Sequence, residues 1–78
     1  MKVRAYSIGS NMTEALIGSN RFLISYHTPV AAYIDGEGWF RTSRKWSSTT
    51  SKHINKWLQG VAAKEISQTD LEAMLEVA

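Results

Sequence analysis

The chain has 78 residues, a formal net charge of +2 and no cysteine. That sizes it as one domain, residues 1–78, and removes disulfides and thiolate metal sites as supports for its fold. A domain this small buries only about 60% of the surface its unfolded chain exposes, so its stability rests on packing or on association. No stretch approaches the roughly 20 apolar residues needed to cross a bilayer, and Met1 to Ile17 lacks the apolar centre of a secretory signal. A soluble cytoplasmic protein is expected.

The first half reads as strands. "KVRAYSI" (2–8) alternates in part. "TEALI" (13–17) is ambiguous, because Glu, Ala and Leu also favour helix. "GSN" (18–20) signals a turn. "RFLISY" (21–26) is the clearest strand, with Phe22, Ile24 and Tyr26 on one face. "HTP" interrupts it, since Pro29 has no N–H for a ladder, and "VAAYI" (30–34) follows. "DGEG" (35–38) then separates that run from "WFRT" (39–42), a hairpin whose glycines permit positive φ. Setting Ile34 opposite Trp39 puts Tyr33 opposite Phe40 and Ala32 opposite Arg41. Ile34, Trp39, Ala32 and Arg41 then share one face, and Tyr33, Phe40, Ala31 and Thr42 the other. One face covers a core; the other meets solvent or a partner.

The second half reads as helices. "SSTT" (47–50) offers several N-cap hydroxyls. From Thr50 onward, Ile54, Trp57, Leu58 and Val61 fall in one arc at 100° per residue, with Lys52, Asn55, Lys56 and Gln59 opposite and His53 at the border. Gly60 is placed to end this helix. "VAAKEI" (61–66) is either a short strand or a loop. "SQTDLEAMLEVA" opens on Ser67 with Asp70 three residues on, a variant of the capping box, and Leu71, Met74 and Leu75 form its apolar stripe. The expected architecture is α+β: a small antiparallel sheet of three to four strands with two short helices packed on one face.

Charge is segregated along the chain. Residues 41–58 hold Arg41, Arg44, Lys45, Lys52 and Lys56 and no acid, whereas residues 59–78 hold Lys64 against Glu65, Asp70, Glu72 and Glu76. Two surfaces of opposite sign are one outcome; mutual neutralisation of the two segments is another. Catalysis is not expected. The two histidines, His27 and His53, have no cysteine beside them, and no serine sits in a nucleophile-elbow context. No metal site or cofactor is expected either. His53 has Lys56 and Trp57 at its i+3 and i+4 positions, "DGEG" supplies too few oxygens for calcium, and the glycines do not fit a phosphate-binding loop.

Two binding readings remain. Phosphate-backbone affinity needs several cations on one surface, and single strands add aromatic platforms for stacking. Arg44, Lys45, Lys52 and Lys56 with Trp46 supply both, while Trp57 reads as core and Arg41 shares the face of Trp39. Protein binding draws on Trp, Tyr and Arg, and the sheet face around Tyr33 and Phe40, or around Ile34 and Trp39, is its natural seat. The candidate partner-binding residues are therefore Tyr33, Trp39, Phe40, Arg44, Lys45, Trp46, Lys52 and Lys56. An unpaired strand edge leaves strand addition or homodimerisation open.

Residues 25–58, "SYHTPVAAYIDGEGWFRTSRKWSSTTSKHINKWL", carry a Y-x-T-P-V-A strand, a glycine turn, R-T-S, an aromatic, a Ser/Thr cluster and S-K-H-I-N-K-W-L. In this order of parts the chain resembles a family of small uncharacterised bacteriophage proteins. The resemblance implies a phage or prophage accessory product working inside a bacterial host. It brings no catalytic or binding residue with it. The expected function is non-catalytic binding to a host or defence protein, as an inhibitor of the anti-CRISPR type acting by steric occlusion. The alternative is a small nucleic-acid-binding protein using the basic 41–56 segment.

Overall fold

A computed structural model describes residues 3–78; Lys2, at the start of the first expected strand, lies outside them. The elements run β1 (Val3–Gly9), β2 (Met12–Ile17), β3 (Asn20–Ser25), β4 (Thr28–Ile34), β5 (Gly38–Thr42), α1 (Ser48–Leu58), β6 (Lys64–Ile66) and α2 (Gln68–Val77). The fold is α+β, with one mixed sheet in the order β1-β2-β3-β4-β5-β6. The first five strands form an antiparallel meander. β6 pairs with β5 in parallel. A parallel pair needs a long crossover rather than a hairpin, and the segment carrying α1 supplies it. Among the described residues, no helix is long and apolar enough to cross a membrane.

The sheet has six strands where three to four were expected. Glu14, Ala15 and Leu16 favour helix taken singly, but β2 pairs along its whole length with β1 on one side and β3 on the other, and pairing overrides propensity. β6 spans only Lys64–Ile66, too short for a periodic signal. Pro29 lies inside β4 rather than before it. It pairs with Ile24 next to an irregularity in the ladder, where Val30 is the unmatched residue between Pro29 and Ala31. Bulges are where a strand tolerates proline.

The two helices cover opposite faces of the sheet, not one face. Neighbouring residues of a strand point to opposite sides, and they enter different cores. Phe22, Ala32, Ile34 and Phe40 join Leu71 of α2, with Met74 and Leu75 packed against them. Leu23, Val30 and Ala31 join Ile54 and Leu58 of α1. Phe22, Leu23, Ala31 and Ala32 are fully buried. The adjacent alanines give both helices a low surface to rest on at the middle of the sheet. The result is three layers: α1, sheet, α2.

The β4–β5 hairpin is one residue out of the expected register. Tyr33 opposes Trp39, Ala32 opposes Phe40, Ala31 opposes Arg41, and Ile34 opposes Gly38. The loop has three residues, not four: the Glu37 N–H donates to the Ile34 carbonyl at 2.9 Å, and Gly36 takes φ 83°. Because side chains alternate with period two, this slip exchanges partners across the ladder. Ala32, Ile34, Phe40 and Thr42 face α2; Ala31, Tyr33, Trp39 and Arg41 face α1. Phe40, expected on a partner surface, is thereby buried under α2.

Both helices are capped by serine, as their sequences suggest. Ser47 Oγ accepts the Thr50 N–H and Ser67 Oγ accepts the Asp70 N–H, each at 3.1 Å. On α1, Thr50, Ile54 and Leu58 are buried while Lys52 and Lys56 are exposed. Trp57 is half-buried rather than fully enclosed. Val61 is exposed, because the helix has already ended at Leu58 with Gln59 in the left-handed region.

Candidate binding cleft

A polar network joins the end of β3 to the first turns of α1. Ser25, the last residue of β3, is buried. Its hydroxyl lies 3.1 Å from Thr50 Oγ1 and 2.9 Å from His53 Nδ1. Ser47 Oγ in turn donates to Thr50 Oγ1 at 3.3 Å. One proton direction satisfies all four groups: Ser47 to Thr50, Thr50 to Ser25, Ser25 to an unprotonated His53 Nδ1. The Ser25–His53 pair has the outward form of a nucleophile and its base. However, no carboxylate bonds to His53 among the described residues, the hydroxyl already faces Thr50, and Ser25 is only 2% exposed. A triad is recognised by the orienting acid and by access to the nucleophile. These contacts form a clasp that pins α1 to the sheet.

Beside this clasp the chain turns from β3 into β4 through Tyr26 and His27. Ser25 pairs with Thr28 across a two-residue turn, a geometry that demands positive φ. Tyr26 supplies it, at φ 58°. The neighbouring β1–β2 turn uses Asn11 at the same φ, which asparagine tolerates and tyrosine does not. The Tyr26 N–H donates to the Asn11 carbonyl at 2.8 Å, so the two turns brace each other. The Tyr26 ring stays 48% exposed, with its centroid 6.0 Å from that of His53.

Facing Tyr26 is Trp46, 41% exposed and held from two sides. Its indole N–H donates to Gln68 Oε1 at 3.2 Å. The Arg44 guanidinium lies 4.3 Å above its ring, within cation–π range. Gln68 is itself buried and fixed, donating from Nε2 to the Pro29 carbonyl at 2.7 Å and to Glu72 Oε2 at 3.1 Å. The Arg44 backbone N–H is bound by Thr42 Oγ1 at 3.1 Å. Between the two rings lies an open cleft of about 230 Å³, lined by Ser25, Tyr26, Thr28, Val30, Trp46, Ser47 and Thr50. It is smaller than the ~300–1,000 Å³ of sites for drug-sized ligands and has the scale of a pocket for one anchoring side chain.

The eight residues singled out from the sequence do not form one surface. Trp46 lines the cleft, and Arg44 stacks on its ring from outside the lining. Lys45 is exposed and lines a neighbouring hollow with Arg41, Arg44, Ser51 and Glu65. Lys52 and Lys56 point away from the sheet, and Lys56 borders a further hollow with Glu14, Arg21 and Trp57. Tyr33 and Trp39 lie together, centroids 4.7 Å apart, with Trp57 edge-on to Trp39 at 5.4 Å. All three are half-buried, Tyr33 and Trp39 on the sheet and Trp57 on the last turn of α1. Phe40 is in the opposite core. Arg41 reaches Asn55 Oδ1 at 3.4 Å, as its place on the face of Trp39 suggests.

Tyr26, Ser25, Ser47 and Thr50 were not among the expected residues. The sequence carries no signal for Tyr26, because the two-residue turn that demands its positive φ is set by the pairing of Ser25 with Thr28. No curated protein and no solved structure matches the chain. A family model does match, over residues 1–73, and the chain belongs to that family, one of unknown function (DUF8033).

Proposed function

We propose that this chain is a small non-catalytic binding protein that docks on a protein partner through the Tyr26–Trp46 cleft. The observation that carries this reading is the pair of exposed aromatic rings on a braced scaffold, one of them held in a backbone conformation that tyrosine disfavours. Strain of this kind persists where surrounding structure enforces it and concentrates at sites of function. Tyr, Trp and Arg are the residue types that dominate interface energetics, and Tyr26, Trp46 and Arg44 lie together here. The partner segment presents one apolar or aromatic anchor to the cleft. Carboxylates beside it suit Arg44, which stacks on Trp46, and the first turn of α1, which carries no acidic residue and has its positive dipole end at Ser47.

The resemblance to small bacteriophage proteins supplies the setting: a phage accessory protein in the bacterial cytoplasm that occludes a surface of a host or defence protein. Ser25 supports the non-catalytic part, since its hydroxyl is enclosed and already bonded on two sides.

Capture from bacterial lysate tests the reading. Wild-type protein and the Lys52→Glu/Lys56→Glu variant retain the same partner, whereas Trp46→Ala and Arg44→Ala lose it while keeping wild-type circular dichroism. Equal capture by all four proteins refutes the cleft. A parallel measurement with single- and double-stranded DNA and RNA across a salt series decides the alternative. Binding that falls steeply with salt and is abolished in Lys52→Glu/Lys56→Glu transfers the assignment to nucleic acid.

A further inference from the structure

We propose that the chain also self-associates, as a two-fold-symmetric dimer in which β1 pairs antiparallel with β1 of a second copy. β1 ends the sheet, and among the described residues no strand lies beyond it. Its residues Val3 to Ile8 are exposed, with Val3 at 61% and Tyr6 at 46%. α1 packs chiefly on β3 and β4 and α2 on β4 and β5, which leaves Val3 to Ile8 exposed. An open edge with apolar side chains is a template for strand pairing unless it is shortened, charged or broken by proline. The opposite edge is managed in this way: β6 is three residues long and exposes Lys64 and Glu65. β1 carries no proline and only Arg4 as a charge, and its ladder with β2 stays regular from Val3 to Ser7, where the register shifts.

The register shows which backbone groups point outward. Ile17 pairs with Asn20 across a two-residue turn, and such flanking pairs exchange hydrogen bonds with each other. Ile17, Ala15 and Thr13 therefore turn their amide groups toward β3, and Leu16 and Glu14 turn theirs toward β1. Their β1 partners Arg4 and Tyr6 are bonded within the sheet. Val3, Ala5 and Ser7 then aim both N–H and C=O away from it.

A two-fold axis at Ala5 makes this edge self-complementary. Ala5 meets the second copy's Ala5, and Val3 meets the second copy's Ser7. With the inverse pair, this closes about six hydrogen bonds between chains. Between them Arg4 comes opposite the second copy's Tyr6, whose hydroxyl is bonded to Glu14 at 3.3 Å. Each cation thus meets an aromatic ring backed by a carboxylate, and no like charges oppose. A C2 interface requires one patch to complement itself, and this edge does.

The geometry also gives a clean perturbation. The Ala5 N–H faces outward, so Ala5→Pro removes a donor from the dimer and none from the β1–β2 ladder. Ala5→Lys sets two ammonium groups against each other across the axis with the backbone unchanged. Sedimentation equilibrium on the full chain, over a concentration series, is expected to give twice the 8.8 kDa chain mass for wild type. Both variants are expected to sediment at the single-chain mass with wild-type circular dichroism. Should Ala5→Pro disturb folding, Ala5→Lys alone decides. A wild-type chain that stays monomeric throughout the series overturns the proposal, and so does an Ala5→Lys variant that remains dimeric.

Discussion

Replacing Tyr26 by glycine and by alanine separates what its ring does from what its backbone costs. Tyr26 sits at φ 58°, a conformation that costs an L-residue roughly 1–2 kcal/mol through its Cβ. Both replacements delete a ring that is about half exposed, losing about 1 kcal/mol of burial. Alanine keeps the Cβ penalty; glycine sheds it and gives back about 0.5–1 kcal/mol in chain entropy. Tyr26→Gly is therefore expected to be more stable than Tyr26→Ala by about 0.5–1 kcal/mol. Elsewhere in a strand or helix the order is the reverse. For a domain of this size the difference is a Tm gap of about 3–6 °C, readable by thermal unfolding followed by circular dichroism. On the proposed docking mode both variants are expected to lose partner capture, because both remove the ring. An alanine variant as stable as the glycine variant, or more so, refutes the claim that this turn holds tyrosine under strain, and with it the main support for a functional Tyr26.

Four further substitutions test how the layers and the clasp are held. Leu71→Ala empties the centre of the α2 core, where Leu71 is fully buried, and is expected to cost about 3–4 kcal/mol in urea unfolding. Trp57→Ala is expected to cost about 2 kcal/mol, below the ~3–5 kcal/mol of a fully enclosed tryptophan, because the ring is half-buried against Trp39; equal losses at the two positions contradict this burial. Ser25→Ala breaks both contacts of the clasp and is expected to lower stability by about 1–2 kcal/mol, with faster amide exchange in the first turns of α1. Gln68→Ala strands the Pro29 carbonyl and frees the Trp46 indole. It is expected to cost about 1–2 kcal/mol and to shift Trp46 fluorescence toward that of a solvated indole, measured with Trp39 and Trp57 replaced by phenylalanine.

The helices were largely legible in the sequence, because caps and 3.6-residue spacing are local signals. Ser47 and Ser67 cap where hydroxyls precede apolar stripes, and Lys52 and Lys56 face outward where the wheel places them. The layering was not read, although "RFLIS" and "VAAYI" hold its trace. Phe22 beside Leu23 and Ala31 beside Ala32 are consecutive apolar residues in strands, which means cover on both faces. Such pairs do not fit an alternation with a single buried side. The hairpin register failed because "DGEG" fits a three- or a four-residue loop, and only the Glu37–Ile34 hydrogen bond chooses. At the site, Arg44 and Trp46 were legible as a basic residue near an aromatic. Tyr26 was not, since alternation extends the strand through it and the positive φ appears only once β4 is known to begin at Thr28.

The fold itself separates the aromatics that stabilise from those that remain to be explained. Tyr33, Trp39 and Trp57 shield one another, and Phe22 and Phe40 fill the α2 core; packing accounts for all five. Tyr6 is exposed on the β1 edge, and Tyr26 and Trp46 are different again. Each is exposed by more than two fifths, and each is fixed by contacts that orient it without covering it: a strained turn braced against Asn11, and an indole held between Gln68 and Arg44. Stability alone accounts for neither ring: at position 26 the burial, about 1 kcal/mol, does no more than offset a backbone cost of roughly 1–2 kcal/mol. The elements that fix these rings meet here because α1 has to cross the sheet for β6 to lie parallel to β5, which brings its capped end beside the β3–β4 turn. The crossover is what the fold requires, whereas two rings left open at its start are what a partner would use.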